Sequence, residues 1–331
     1  MKIDVVPFGD TDEVAIHQAY EIFRDSSRHD VPDLPPPSAH TFITGIRLPH
    51  TGYTAERAIG YLDGKPAGYL CLEMPQLDNL DNATVDLSVT PALRRHGVGR
   101  ALHAHAVQRA RALNRKRLSA ETVQGPGSDA FAAAMGSSPA LAETRSRLDL
   151  RAVDQDRLDV MLAEAWTHAG GYRFVKWDGV PPDEFIDDVA ALDSRFMSDA
   201  PLGDLDWEPE KVDADRVRKS EQQRLERGFG RFHGGIEHVA SGRLVAWTTL
   251  AGAGDTPTHL WQNITIVDPA HRGHRLGMVV KLENLRHARE HRPELTAVDT
   301  FNASSNAHML AINVAMGFRA VDSWMQWQQT V

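Results

Sequence analysis

The residues best suited to do chemistry form a short basic, glycine-containing run, Arg94-Arg95-His96-Gly97-Val98-Gly99-Arg100. It follows a stretch in which Val85, Leu87 and Val89 alternate with Asp86 and Ser88, the pattern of a strand with two distinct faces. After it, Leu102, Ala106, Ala110 and Leu113 recur at helical spacing. A strand that ends in glycines and runs straight into a helix makes an anion site. The first helical amides have no partner within the helix and carry partial positive charge, and glycine lets the backbone approach a phosphate. Arg94, Arg95 and Arg100 add charge-assisted hydrogen bonds, and a pyrophosphate is the expected guest. The dinucleotide fingerprint GxGxxG is not met, because Leu102 stands at its third glycine, and no phosphate loop ending in Gly-Lys-Ser/Thr occurs. For one copy, a turn that only joins strand to helix is the plain alternative.

The chain carries the run twice. Val89–Leu102 (VTPALRRHGVGRAL) has a counterpart in Val267–Val280 (VDPAHRGHRLGMVV), with Pro91, Arg94 and Gly99 matching Pro269, Arg272 and Gly277. Upstream, Asp63-Gly64-Lys65 matches Ser241-Gly242-Arg243 at the same interval; downstream, Ala134-Met135-Gly136 matches Ala315-Met316-Gly317 at nearly the same one. Landmarks in one order at one spacing mark a duplicated unit. The expected domains are 1–152 and 153–331, joined by the polar stretch around 150–156.

Each copy needs a set of elements to position its turn. In the first, these are a strand at Ile3–Phe8, a helix capped by Asp10-Thr11-Asp12 and running to about Arg24, and a Pro-rich loop. A hairpin turning at Asp63-Gly64, the alternating strand, the helix after the turn, a strand at Leu118–Val123 and a short helix ending near Gly136 follow. In the second, they are a strand near Tyr172–Trp177, helices near Asp183–Phe196 and Asp213–Arg227, and a hairpin at Ser241-Gly242. A strand at Asn263–Val267, a helix with Met278, Leu282 and Leu285 on one face, a strand at Ala297–Phe301 and a helix at Asn306–Met316 complete it. The fold class is therefore α/β with an α+β-type mixed sheet, used twice.

Composition narrows the function. The 331 residues are 42% hydrophobic and 24% charged, ordinary for a globular chain, and the net charge of −9 argues against a nucleic-acid partner. No apolar run approaches the ~20 residues of a membrane helix, and the N-terminus has no signal-like apolar stretch, so a cytoplasmic protein without a membrane partner is expected. One cysteine, Cys71, excludes an internal disulfide and a cysteine metal cluster. Sixteen histidines invite a metal reading, but there is no HExxH, and His103 and His105 do not share a helix face; no metal site is expected. Cys71 reads as a buried structural thiol, and the absence of GxSxG removes a serine nucleophile.

With these residues in view, the chain resembles the GNAT superfamily of N-acetyltransferases. Its cofactor motif is Arg or Gln, two residues, Gly, one residue, then Gly or Ala. Arg94-Arg95-His96-Gly97-Val98-Gly99 fits it throughout; Arg272-Gly273-His274-Arg275-Leu276-Gly277 fits except that Arg275 replaces the first glycine. The segment NAHMLAINVAMGF (Asn306–Phe318) resembles the family's late helix. The layout is similar to that of mycothiol synthase and of tandem acetyltransferases of actinobacterial secondary metabolism. The resemblance implies acetyl-CoA as cofactor and two tandem GNAT acyl-CoA N-acyltransferase domains. Pyrophosphate would lie at Arg94 to Arg100 (His96, Gly97, Val98 and Gly99 between them) and at Arg272 to Gly277 (Gly273, His274, Arg275 and Leu276 between them). The pantetheine arm would lie along Leu87 and Val89 or Thr265 and Val267, with Asn302 and Asn306 assisting in the second half.

The implied reaction is transfer of an acetyl group to a small-molecule amine by direct attack, in a monomer or homodimer. The family's acid, a Tyr four residues before the late glycine, is replaced by Ala132 and by Asn313, and Asn313 can only donate a hydrogen bond. Candidate bases are Asp86 and Glu121 in the first half and Asp299 in the second, because a carboxylate in a partly desolvated cleft has its pKa raised. For each, a solvated or ion-paired strand residue is the bland alternative. Since the second half keeps the fuller late helix, it is expected to hold the acceptor site, with Arg275 either contacting phosphate or blocking it. The rival reading is a non-catalytic acyl-CoA-binding protein.

Overall fold

The computed structural model describes residues 1–331. The chain begins with β1 (Ile3–Phe8) and α1 (Glu13–Asp30), whose first turn is capped by Asp12, its side chain accepting from the Ala15 amide at 3.0 Å. Helix α2 (Ala39–Arg47) is capped in the same way by Ser38. Asp63 and Gly64, both left-handed at φ 48° and 79°, turn β2 (Tyr53–Leu62) into β3 (Lys65–Pro75), as an Asp-Gly pair predicts. Strand β4 (Asn82–Val89), α3 (Val98–Ala112) and β5 (Arg117–Val123) make a parallel crossover, followed by α4 (Pro126–Ala134) and β6 (Ser138–Asp149).

The second half runs α5 (Gln155–Trp166), β7 (Tyr172–Asp178), α6 (Ile186–Asp199), α7 (Ala214–Glu226), β8 (Phe229–His238) and β9 (Arg243–Ala253). It continues with β10 (His259–Val267), α8 (Leu276–His291), β11 (Ala297–Ala303), α9 (Ala307–Met316) and β12 (Arg319–Thr330). Helices α2 and α5 and strands β6 and β12 are additions to the expected elements. No helix is long and apolar enough to cross a membrane.

Two compact units form, and they do not follow the two halves. The first comprises Met1–Ala142, Leu202–Glu208 and Ser323–Val331; the second comprises Glu143–Pro201 and Pro209–Asp322. The first unit's sheet has the order β1-β2-β3-β4-β5-β12, with Trp324 opposite Val123 and Thr330 opposite Arg117. The second unit's sheet has the order β6-β11-β10-β9-β8-β7, with Asp149 opposite Ala297 and Glu143 opposite Ala303. Each of these strand sets thus includes a strand contributed by the other half of the sequence. The expected boundary at 152/153 leaves β6 with the first half, whereas its residues 143–149 pair in the second unit.

In the first unit, α3 buries Val98, Leu102, Ala106 and Ala110 against Leu70, Leu72, Val85 and Leu118 on one face of the sheet. Helices α1 and α2 cover part of the other face, where Ala15, Ala19, Ile22 and Phe42 meet Ile59, Tyr69 and Cys71. Arg57, Cys71 and Asp86 stand directly opposite one another across β2, β3 and β4, so Asp86 belongs to this second face. The segment 202–208 is held against the first unit by the Asp204 amide on Ala140 O (2.8 Å) and by Asn82 on Asp206 O (2.9 Å). In the second unit, α5 and α8 pack on one face, and α6 and α7 on the other.

Candidate functional site

The two glycine turns share one backbone plan. Each contains a single 3₁₀ turn, Pro91–Leu93 or Pro269–His271, and then two left-handed residues two positions apart. These are Arg95 (φ 67°) and Gly97 (91°) in the first unit, Gly273 (89°) and Arg275 (56°) in the second. Glycine occupies a different one of the two positions in each copy. Gly97 and Arg275 are the N-cap residues of α3 and α8, and neither helix has a side-chain cap. By contrast α1, α2, α5, α7 and α9 are capped by Asp12, Ser38, Asp154, Asp213 and Asn306. The first amides of α3 (Val98, Gly99, Arg100) and of α8 (Leu276, Gly277) are therefore left to an anion, while the Met278 amide is bonded to Arg275 O (3.0 Å).

The first arginine of each turn is committed to the turn itself, which corrects the expectation that it meets phosphate. Arg94 donates from Nε to Val89 O (3.1 Å), from both terminal nitrogens to Asp30 (2.7 Å each) and to Ser26 Oγ (2.9 Å). Arg272 donates to Val267 O (3.2 Å) and to Asp199 (2.8 Å). Asp30 and Asp199 close α1 and α6, at the helix end where the dipole disfavours a carboxylate. Sequence reading missed both, and that misplaced charge was the available signal. Arg275 pairs with Glu164 (2.7 Å). His96 donates from Nδ1 to Arg94 O (2.8 Å), and His274 donates to His168 O (3.3 Å). Arg95 and Arg100 remain exposed at the first turn.

Each turn follows a strand with one open edge. Strand β4 pairs with β5 only over Asn82–Thr84, and β10 pairs with β11 only over His259–Trp261. Beyond those points the strands separate. The Thr90 amide bonds Ala67 O and the Asp268 amide bonds Val245 O (2.9 and 2.8 Å), so alternation turns the backbone groups of Leu87, Val89, Thr265 and Val267 to the open side. Strand β10 also has a bulge between Gln262 and Thr265, where Gln262 Nε2 donates to Thr249 O at 3.0 Å; β4 keeps a regular register.

The candidate bases differ sharply. The Asp86 side chain reaches water, and the protein atoms packed round it together with the neighbouring Glu73 carboxylate push its pKa up to about 6. Glu121 lies on the same face of the sheet, opposite Gln326 of β12. Asp299 is fully buried. Burial alone would raise its pKa, but the Arg147 guanidinium, bonded to both carboxylate oxygens (2.6 and 2.7 Å), overrides it with help from His259 and holds it well below the usual carboxylate range. Arg145 adds a third bond at 2.9 Å. Asp299 is a structural ion-pair partner, not a base.

Asn313 is also buried. It accepts from Lys281 Nζ (2.7 Å) and donates to Asn302 Oδ1 (2.7 Å), so these three make a closed polar network. Asn306 caps α9, accepting from the Met309 amide (3.2 Å). Burial pushes the Cys71 thiol up to about 12, which leaves it inert as a nucleophile.

The sequence profile of the acetyltransferase (GNAT) family matches residues 16–136. A tandem GNAT protein from the clavulanic acid biosynthesis pathway, solved without acetyl-CoA, is 30% identical. The match covers 99% of this chain and 98% of that one, with a TM-score of 0.83. The chain belongs to the GNAT acetyltransferase family. A GCN5-related N-acetyltransferase from Sphaerobacter thermophilus shares the fold at 13% identity, with a TM-score of 0.69 over 99% of this chain and 95% of that one. No curated protein matches the sequence.

As a GNAT protein with two tandem units, the chain is expected to meet acyl-CoA at the turns, and the residues fit such a group. Both turn helices are uncapped, both preceding strands have an open backbone edge, and a β-carbon at Gly99 would come within 3.1 Å of the Phe131 ring. The structure gathers Asp86, Leu87, Val89 and Arg95 to Arg100 at one GNAT turn. It gathers Thr265, Val267 and Gly273 to Gly277 at the other, and sets Asp299 and Asn313 apart in buried networks, the half-buried Asn302 bonded to Asn313.

Proposed function

We propose that this protein is an acetyl-CoA-dependent N-acetyltransferase acting on a small cationic amine, with the transfer site in the first unit. Asp86 carries the reading: it is an exposed carboxylate with a raised pKa, on the strand whose open edge leads to the uncapped start of α3. When bound, acetyl-CoA supplies an activated acetyl thioester and takes up the departing electron pair as its thiolate. The amides of Val98, Gly99 and Arg100, with the Arg95 and Arg100 side chains, hold the pyrophosphate. The open backbone groups of Leu87 and the Val89 N–H align the pantetheine arm, and an N–H there steadies the carbonyl oxygen as charge builds on it.

Asp86 and Glu73 draw the acceptor in as an ammonium. The ammonium gives up one proton to water and attacks as the neutral amine; Asp86 takes the second proton as the C–N bond forms and the C–S bond breaks. Ala132 offers no acid, so the thiolate leaves unprotonated. The acceptor site is thereby moved from the second half, where it was expected, to the first. The ion-paired Asp299 and the Glu164-bound Arg275 favour a second reading for the second unit alone, that of an acyl-CoA-binding or scaffolding half.

Acetyl-CoA-dependent thiol release with a panel of amines tests the reading. The wild-type rate should rise with pH through about 6, because Asp86 must be ionised. Asp86→Asn should remove that limb and lower kcat by about 10²–10⁴-fold while acetyl-CoA still binds in calorimetric titration. A folded variant that keeps both rate and limb takes Asp86 out of the chemistry. Folded wild type that binds no acetyl-CoA overturns the whole proposal.

A further inference from the structure

Helix α8 ends in two histidines, His287 and His291, four residues apart and so on one helix face. Asp178, which ends β7, faces both: its carboxylate lies 2.8 Å from His287 Nε2 and 3.7 Å from His291 Nε2. The three ligand atoms lie within 4.8 Å of one another. We propose that Asp178, His287 and His291 form a binding site for one divalent transition cation of the Zn²⁺ class, independent of acyl transfer.

Proton placement supports the site. His291 Nδ1 is 3.0 Å from His287 O. A carbonyl only accepts, so Nδ1 carries the proton and Nε2 turns a lone pair toward the Asp178 oxygen. Two lone pairs facing one another repel unless a proton or a cation lies between them. A metal-ligating histidine fixed through its other nitrogen is the usual supporting arrangement. His287 is 4% exposed and its Nδ1 has no partner; a cation at Nε2 takes the place of the hydrogen bond to Asp178 (2.8 Å) and leaves the ring proton on Nδ1.

Geometry and charge agree. Ligand atoms on tetrahedral arms of about 2.1 Å lie about 3.4 Å apart; Asp178 Oδ1 stands 2.8 Å from His287 Nε2 and Asp178 Oδ2 stands 3.7 Å from His291 Nε2, on either side of that value. The Phe232 ring packs against both imidazoles, at 5.9 and 5.8 Å, and fixes their orientation. Lys176 and Glu290 neutralise one another nearby (2.7 Å), which leaves the Asp178 carboxylate as the net charge facing the cation. Two imidazoles with one carboxylate suit zinc, copper or nickel and not magnesium or calcium. The Asp178 and His291 side chains are about half exposed (50% and 46%), which gives the ion an entry path and leaves water to complete its shell. A bound ion would clip the end of β7 to α8 and stabilise the second unit.

The test uses the full chain, stripped with EDTA and titrated with Zn²⁺ alone, in wild type, Asp178→Asn and His291→Ala. Both changes fall on half-exposed side chains, and circular dichroism checks the fold. Calorimetry should show one equivalent in wild type that binds at least about 10-fold more weakly in each variant. Zn²⁺ should raise the wild-type Tm by several degrees and leave the variants unmoved. His238 and His271, with ring centres 4.9 Å apart, are a second place for zinc to adhere, so the equivalent lost in the variants is the decisive quantity. Wild type that binds no zinc at about 100 µM, or variants that keep every equivalent and the Tm rise, would overturn the proposal.

Discussion

Asp86 and Asp299 were both candidate bases, and they titrate in opposite directions. Asp86 meets desolvation and another carboxylate, whereas Asp299 meets two guanidinium groups. Those guanidiniums, Arg145 and Arg147, lie on β6, far from Asp299 in sequence, so spacing alone could not reveal them. The same holds for Lys281, buried against Asn313 and 5.4 Å from the Phe318 ring centre. Burial lowers its pKa from 10.5 to about 7. Between those values the native state binds fewer protons than the unfolded state, so this lysine makes stability rise with pH across the window and lowers it most below pH 7. Lys281→Met should flatten that rise. Urea titrations of both proteins at pH 6, 8 and 10 read it directly, and parallel curves would show that Lys281 is not desolvated as described.

At the scale of elements, the strand-turn-helix units were legible because their signals are local: alternation, glycine and helical spacing fall within one continuous stretch. The backbone plan of the turn was not. Two left-handed positions are needed, and each copy meets one with glycine and the other with arginine. Gly97→Ala should lose about 1–2 kcal/mol, because it puts a β-carbon in the left-handed region. Arg275→Gly should stay within about 0.5 kcal/mol of wild type or exceed it, since it removes the same strain and only an exposed ion pair. Equal losses in the two variants, measured by chemical denaturation, would mean that the turn does not impose this conformation. Helix α5 was readable in hindsight from Leu158, Leu162 and Ala165, but its polar first turn passed for a linker. The paired histidines of α8 were visible at i,i+4 spacing; what completes their site is Asp178, from a distant strand.

For the whole molecule, duplication was legible and strand exchange was not, since strand order is set by long-range pairing that the repeat itself conceals. Strand β12 covers the β5 edge of the sheet that holds Asp86, with Trp327 donating to Thr122 Oγ1 (2.9 Å) and Gln329 to Met135 O (2.9 Å). Deleting residues 323–331 should therefore unfold or aggregate the first unit, although the deletion lies in the second half of the sequence. Protease mapping should find new cuts within residues 1–142 and none within 209–318. Cuts confined to the new terminus would contradict the exchange.

The exchange also sets an order of events during synthesis. Strand β5 is translated roughly 200 residues before the partner that finally covers its edge, a wait of about 10–40 s at ordinary ribosomal speeds. For most of that wait β6 is already synthesised, one short helix downstream and lacking its partner β11. The nascent chain thus holds an available strand beside an open edge, and β6 competes for the position that β12 must later occupy.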